Sequence, residues 1–101
     1  MIRHIVMFRF LEEAEGATRM ENARMAKEKL EALQGVVPTL RSSAVYLRAE
    51  GTADQNYDLV LVSDYDDLEG LEAYRVHPAH VAVGEFIGPR RELRACVDFE
   101  I

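Results

Sequence analysis

The spacing of apolar and polar residues along the chain predicts four strands and three helices. The strands are predicted over residues 2–10, 39–48, 57–64 and 92–101, where apolar side chains recur at every second position or form a short apolar run. Helical spacing of apolar residues predicts helices from Thr18 to about Leu33, from Asp66 to about Val76 and from Pro78 to about Ile87. The order β-α-β-β-α-α-β is that of a ferredoxin-like α+β protomer, and it places residues 1–101 in a single domain.

Residues at the ends of the predicted helices support these assignments. Thr18 and Glu21 form a capping-box pattern at the start of the first helix, and Asp66 with Glu69 indicates the start of the second. Gly35 supplies the left-handed residue that is expected just past the end of the first helix.

The two central strands of the predicted sheet are apolar on both faces. Short, right-handed connections place the first and third strands at the centre. Helices can cover only one face of the sheet, the one that carries His4, Val6, Phe8 and Phe10 in the first strand. The other face would carry Ile5, Met7, Val60 and Val62. An apolar patch of this kind usually marks an interface, so the pattern predicts a homodimer with sheet packed against sheet, a dimeric α+β barrel.

Composition and charge narrow the possible partners. The chain has a formal net charge of −6 at pH 7 and no basic run or basic helical face, which argues against a nucleic-acid-binding protein. The opening M-I-R-H-I-V-M-F-R-F is too short and too charged for a signal peptide or a membrane span. The single cysteine, Cys96, cannot form an intrachain disulfide and is expected to be a small buried hydrophobe. We therefore expect a cytoplasmic protein with neither a nucleic-acid nor a membrane partner.

The segment from Ala73 to Ile87 carries the candidate chemistry. Pro78 pushes His77 out of the helical region and suits the first position of a new helix. In that helix His80 lies at the border of an apolar stripe, and Gly84, one turn further on, leaves room beside it. The stripe consists of Ala79, Ala82, Val83, Phe86 and Ile87. This arrangement fits a small polar site on an apolar pocket, and it also fits an ordinary half-buried histidine.

Each candidate residue has a structural alternative. Tyr74 and His80 could form a catalytic pair, with the imidazole removing a proton beside a carbonyl and the phenol donating to the enolate oxygen. Alternatively, both are core residues. His77 is better suited to capping the helix that starts at Pro78 than to catalysis, although it could also ring the pocket. His4 could line the pocket from the first strand or be a hydrogen-bonded core residue.

The sequence predicts neither a metal ion nor an organic cofactor. His4, His77 and His80 match no closed ligand spacing, and no carboxylate is placed with them by the sequence. The acidic residues between 64 and 69 are better explained by the start of a helix. The chain contains no phosphate-binding loop, dinucleotide-binding fingerprint or nucleophile motif.

Four stretches of the chain resemble the stress-responsive dimeric α+β barrel (Dabb) family: H-I-V-M-F-R-F, Y-D-L-V-L-V-S-D-Y, D-L-E-G-L-E-A-Y-R-V-H-P-A-H-V and C-V-D-F-E. The resemblance implies a ferredoxin-like protomer whose sheet meets that of a partner, with the helices outside. The Y-R-V-H-P-A-H segment is also similar to olivetolic acid cyclase, a cofactor-free polyketide cyclase of the family, whose catalytic tyrosine and histidine match Tyr74 and His80. A further pocket histidine of that enzyme matches His4, and its glycine matches Gly84. Its third-strand histidine is replaced here by Leu59.

Two expectations for function follow. The first is a stress-responsive homodimer with a small apolar pocket, ringed by His4, Tyr74, His77, His80 and Gly84, that binds a small apolar or carbonyl-containing ligand without a specified reaction. The second is a cofactor-free, polyketide-cyclase-like enzyme in which Tyr74 and His80 carry out aldol or enolisation chemistry.

Overall fold

The computed structural model describes residues 1–101 and contains all seven predicted elements. A short hairpin, which the sequence did not predict, is added between the first strand and the first helix. The elements in chain order are β1 (Ile2–Phe10), β2 (Glu13–Ala14), β3 (Ala17–Thr18), α1 (Arg19–Glu31), β4 (Ser42–Leu47), β5 (Leu59–Tyr65), α2 (Leu68–Val76), α3 (Pro78–Ile87) and β6 (Arg91–Glu100).

The start of α1, the end of α2 and both ends of α3 agree with the sequence, whereas the start of α2 and the end of α1 differ. The capping box at α1 is confirmed, because Thr18 Oγ1 accepts from the backbone N–H of Glu21 and the Glu21 carboxylate accepts from the N–H of Thr18. The cap of α2 is Asp67 and not Asp66, whose carboxylate binds Arg41 at 2.7 Å. Helix α1 ends at Glu31, well before Gly35, and the chain continues in turns in which Gly35 has a φ of 86°.

The main sheet is antiparallel in the order β4-β5-β1-β6, which confirms that the first and third long strands are central. The three helices lie on one face and pack mainly over β4, β5 and β1. Strand β6 is an edge strand that the helices leave largely uncovered, and almost all of its residues are exposed. None of the helices combines the length and apolar character needed to cross a bilayer.

The core lies between the sheet and the helices. The predicted inward face of β1 is confirmed, since Val6, Phe8 and Phe10 are all buried. From α3, Val83 and Ile87 enter the core, whereas Ala82, which the sequence placed on the apolar stripe, is exposed.

The opposite face of the sheet is apolar and faces solvent in the protomer. The register sets Ile5 between Val62 of β5 and Val97 of β6, and Met7 between Val60 and Ala95. The most exposed members of this surface, which we call the open sheet face, are Tyr46, Leu93, Val97, Phe99 and Met7. An exposed apolar surface of this extent usually marks an interface.

A buried charge cluster joins β1 to the start of β5. Asp58 is fully buried, and its carboxylate accepts a hydrogen bond from the backbone N–H of Phe10 at 2.8 Å. Arg19 lies 3.8 Å from one carboxylate oxygen, and Arg48 lies 3.5 Å from the other. The contact with Arg48 is an ion pair without hydrogen-bond geometry, since neither Arg48 Nε nor Asp58 Oδ1 has a hydrogen-bond partner.

Candidate functional site

A cavity of about 200 Å³ lies between α3 and the helix-side face of the sheet, beside the edge strand β6. Its apolar wall includes Val6, Phe8, Leu61, Val83 and Ile87. Its polar groups come from His4, Tyr74, His80, Arg91 and Arg94. Because the helices leave β6 uncovered, the site remains accessible at the edge of the sheet.

Tyr74 and His80 meet in this cavity although they belong to different helices. Tyr74 lies in the last turn of α2 and His80 in the first turn of α3, and the extended backbone of His77 separates the two helices. The two ring centroids are 4.3 Å apart, and the ring of His4 lies 6.4 Å from that of Tyr74. The structure therefore brings together three of the polar side chains that the sequence indicated.

The hydrogen bond of His80 fixes its tautomer. Its Nδ1 lies 3.0 Å from the backbone carbonyl oxygen of Arg75. A carbonyl oxygen can only accept, so Nδ1 carries the proton and Nε2 of the neutral ring keeps a free lone pair. Burial lowers the pKa of His80 below its ordinary value of 6.5, and the bond to Arg75 only partly offsets this effect. His80 is therefore mainly neutral at pH 7, as a general base must be.

Tyr74 has the properties of a hydrogen-bond donor. It is 2% exposed, and its ring lies 5.2 Å from that of Tyr65, also buried. Burial raises the pKa of Tyr74 to about 12, because the phenolate would be poorly solvated there. The hydroxyl group thus keeps its proton throughout the neutral and mildly alkaline range.

His4 forms a cluster with two residues that the sequence did not place at the site, Cys96 and Asp98. His4 is buried, and its Nδ1 lies 2.5 Å from Asp98 Oδ1 and 3.4 Å from Cys96 Sγ. The prediction that Cys96 is buried is wrong, because β6 is an edge strand without a helix over it. The alternation of β6 does place Cys96 and Asp98 on one face, but only the pairing with β1 sets that face beside His4.

His77 lies outside the lining of the cavity, in contrast to the predicted pocket. Its Nδ1 accepts a hydrogen bond from the backbone N–H of Ala79 at 3.1 Å, which caps α3. Pro78, at the first helical position, has no N–H group to satisfy, so His77 accepts from the next free backbone donor, the N–H of Ala79. The residues gathered at the cavity are therefore His4, Tyr74, His80 and Gly84, without His77.

Gly84 lines the cavity from the middle of α3. A Cβ atom built at this position would meet nothing within 4 Å. The glycine is not required by the backbone, since its φ lies outside the left-handed region. Its missing side chain instead leaves the cavity open.

A four-stranded antiparallel sheet with helices on one face and an apolar surface on the other defines the ferredoxin-like α+β class. Residues 2–101 match the sequence profile of the stress responsive A/B barrel domain, Dabb, and the chain belongs to this family. No curated protein matches the chain.

Solved structures with the same fold include dimeric proteins of unknown function. One from Bacteroides fragilis is 30% identical with a TM-score of 0.87, and the alignment covers 99% of this chain and 95% of that one. One from Thermobifida fusca is 32% identical with a TM-score of 0.81, and the alignment covers 99% and 90%. The hydroxynitrile lyase of Passiflora edulis shares the fold at 13% identity and a TM-score of 0.81, over 99% of this chain and 92% of that one.

Proposed function

We propose that the protein is a homodimeric stress-responsive barrel protein that binds a small apolar or carbonyl-containing molecule in the cavity beside α3. The observation that carries the proposal is the combination of an apolar wall with the convergent polar groups of His4, Tyr74 and His80. Pockets that recognise small molecules typically have this composition. We place the protein in the cytoplasm because its only cysteine is free.

The size of the cavity limits the ligand. Its volume is about 200 Å³. An apolar cavity of about 150 Å³ can hold benzene, and pockets for drug-sized molecules begin at about 300 Å³. The expected ligand is therefore a single ring or a short chain with one or two polar atoms.

The open sheet face supports the homodimer. The relatives from Bacteroides fragilis and Thermobifida fusca are dimeric at 30% and 32% identity. A second copy of the chain would bring an identical apolar surface, and a two-fold axis between the sheets would cover both. The helix side, which carries the cavity, would stay outside this contact.

Filling the cavity from Gly84 tests ligand binding. Gly84→Leu should place a side chain in the open space and prevent binding of small cyclic ketones and aromatic aldehydes in a ligand-observed NMR screen. The variant should remain folded, because leucine is favoured over glycine in a helix by roughly 0.8 kcal/mol. Ala82→Leu is the matched control, since Ala82 is exposed on the same helix but does not line the cavity. Binding that survives in Gly84→Leu, or that is lost equally in Ala82→Leu, would contradict the proposed site.

A second candidate function is cofactor-free enolisation, favoured by the tautomer and neutral state of His80. The Nε2 lone pair would take the proton from a carbon next to a carbonyl, the electrons of the broken C–H bond would form a C=C bond, and the π electrons of the carbonyl would move to its oxygen. Tyr74 would donate a hydrogen bond to that oxygen as its negative charge develops. The hydroxynitrile lyase of Passiflora edulis establishes only that this fold can carry an enzyme.

Deuterium exchange tests this second function. With β-keto thioesters in D₂O, the protein should accelerate loss of the NMR signal of the proton between the two carbonyls. His80→Ala and Tyr74→Phe should each reduce the acceleration by about 10²-fold, and the double variant should lose less than the product of the two. Exchange that stays equally fast in His80→Ala would exclude His80 as the base, and no acceleration by the unmodified protein, while the ligand still binds, would leave a binding protein without this chemistry.

A further inference from the structure

Three potential metal-binding atoms of different types meet at one end of the cavity. The imidazole Nδ1 of His4, the thiol of Cys96 and the carboxylate of Asp98 lie within 4.8 Å of one another. The individual separations are 3.4 Å from nitrogen to sulfur, 3.8 Å from sulfur to the carboxylate oxygen and 2.5 Å from nitrogen to that oxygen. This set differs from the three histidines considered in the sequence, of which His77 lies outside the cavity lining.

The backbone holds these three residues in register. His4 is directly opposite Asp98 in the β1–β6 pairing, and Cys96 precedes Asp98 by two positions, so all three side chains project from the same face. The β-bulge in this pairing lies between Arg9 and Phe10, at the other end of β1. The cluster is therefore built on regular paired strands, which position ligands more accurately than loops do.

The separations are close to those of a tetrahedral zinc site. With bonds of about 2.1 Å to nitrogen, 2.3 Å to sulfur and 2.0 Å to oxygen, tetrahedral angles separate the ligand atoms by about 3.3–3.6 Å. The two distances to sulfur are near these values. The distance from nitrogen to oxygen is shorter because His4 and Asp98 share a hydrogen bond. The side chain of Asp98 is 39% exposed, so its carboxylate has room to rotate away from the imidazole and admit an ion.

We propose that His4, Cys96 and Asp98 bind a divalent cation of the zinc type, with one coordination position left open. Thiolate and imidazole ligands select Zn²⁺, Co²⁺ or Cu²⁺ over Mg²⁺ and Ca²⁺, which prefer oxygen. Cys96 and Asp98 are exposed, so an ion can reach the site from solvent. Three protein ligands with a free fourth position are typical of zinc sites that bind water or a substrate. His4 also lines the cavity, and the ion would thus lie beside the space occupied by the ligand.

Cobalt titration tests this site without any knowledge of the ligand. The dimeric protein, freed of metal with a chelator, should bind one Co²⁺ per chain and develop a near-ultraviolet band from charge transfer between thiolate and Co²⁺. The chain has a single cysteine, so this band can arise only at Cys96. Zn²⁺ should displace the cobalt and abolish the band, whereas excess Mg²⁺ should not.

Variants in β6 distinguish specific coordination of Co²⁺ by Cys96 and Asp98 from nonspecific binding to exposed acidic residues. Cys96→Ser should abolish the band, and Asp98→Asn should weaken Co²⁺ binding at least roughly 100-fold, because even residues outside the ligand shell often contribute 10- to 100-fold. Glu100→Gln is the matched control, since Glu100 is an exposed acid two positions beyond Asp98 on the same face of the strand. Its affinity should equal that of the unmodified protein, and circular dichroism should show all three variants folded.

Three results would overturn the proposal: no thiolate band, one Co²⁺ per two chains, or an equal loss in Glu100→Gln and Asp98→Asn. The readout is independent of the proposed function. A protein that binds cobalt at Cys96 but no small molecule supports the metal site and contradicts the ligand pocket, and the opposite result does the reverse.

Discussion

Replacing Val97 by aspartate tests whether the open sheet face is a subunit interface. Val97 is 54% exposed in one protomer, and Val36, in the turns after α1, is 52% exposed. In a monomer the two valines would therefore tolerate a charge about equally well. In a dimer that packs sheet against sheet, only Val97 becomes buried, and only its variant should dissociate.

The magnitude follows from the exposed fraction of Val97. Complete burial of a valine side chain contributes about 1.5 kcal/mol, so covering its exposed half contributes about 0.8 kcal/mol per subunit. Burying an unpaired polar group costs roughly 2 kcal/mol more per subunit, and a charge costs more than that. Because two subunits carry the change, the dimer should weaken by about 5.6 kcal/mol, which corresponds to roughly 10⁴-fold in the dissociation constant.

Sedimentation velocity over a range of concentrations measures this change. The unmodified protein and Val36→Asp should sediment as dimers at micromolar concentration, and Val97→Asp should sediment as a monomer or aggregate. A native protein that is a folded monomer would refute the interface, and so would a Val97→Asp variant with the dissociation constant of the control. Either result would leave the apolar residues of the open sheet face without an explanation.

Three further predictions concern single residues. His77→Ala should lower the free energy of unfolding in urea by about 1 kcal/mol through loss of the helix cap, with His77→Asn nearly neutral and ligand affinity unchanged in both. Deuterium exchange catalysed by His80 should rise with pH to a plateau whose midpoint lies below 6.5, because burial lowers the pKa and the neutral ring is the base. The plateau should continue through mildly alkaline pH, since Tyr74 keeps its proton up to about 12; a midpoint above 6.5 would exclude His80 as this base. Asp58→Ala should lower the free energy of unfolding in urea by about 3–5 kcal/mol, because it leaves Arg19 and Arg48 without their buried partner. A decrease below about 1 kcal/mol would show that water replaces the missing carboxylate.

The fold was predictable because the period of the apolar residues differs between strands and helices. Alternation in β1 and helical spacing after Thr18 and Pro78 are local signals, and so is the capping box of Thr18 and Glu21. The sequence placed the cap of α2 at Asp66, although the structure has it at Asp67. Both residues are aspartates and either could cap a helix, so the sequence does not distinguish them. The backbone alone decides which of the two carboxylates meets the free N–H groups.

The candidate site was predictable only where its residues are close in sequence. Tyr74, His80 and Gly84 lie within one segment, and the break at Pro78 indicates their arrangement. Asp98 and Cys96 were missed because their meeting with His4 depends on the register of strands at opposite ends of the chain. Sequence periodicity identifies the faces of a strand, but it does not state which residues of another strand lie opposite.

The alternation of side chains in β6 also restricts which codon insertions and deletions the protein can tolerate. Val97 belongs to the open sheet face, while its neighbours Cys96 and Asp98 belong to the face of the cavity. Because side chains alternate with a period of two, insertion or deletion of one codon at the start of this strand would exchange the two sets. A single insertion or deletion would then disrupt both the open sheet face and the face that carries the cavity. Codon insertions should therefore be tolerated in the exposed segment 49–56 and eliminated in β6, a contrast that a library of single-codon insertions would measure directly.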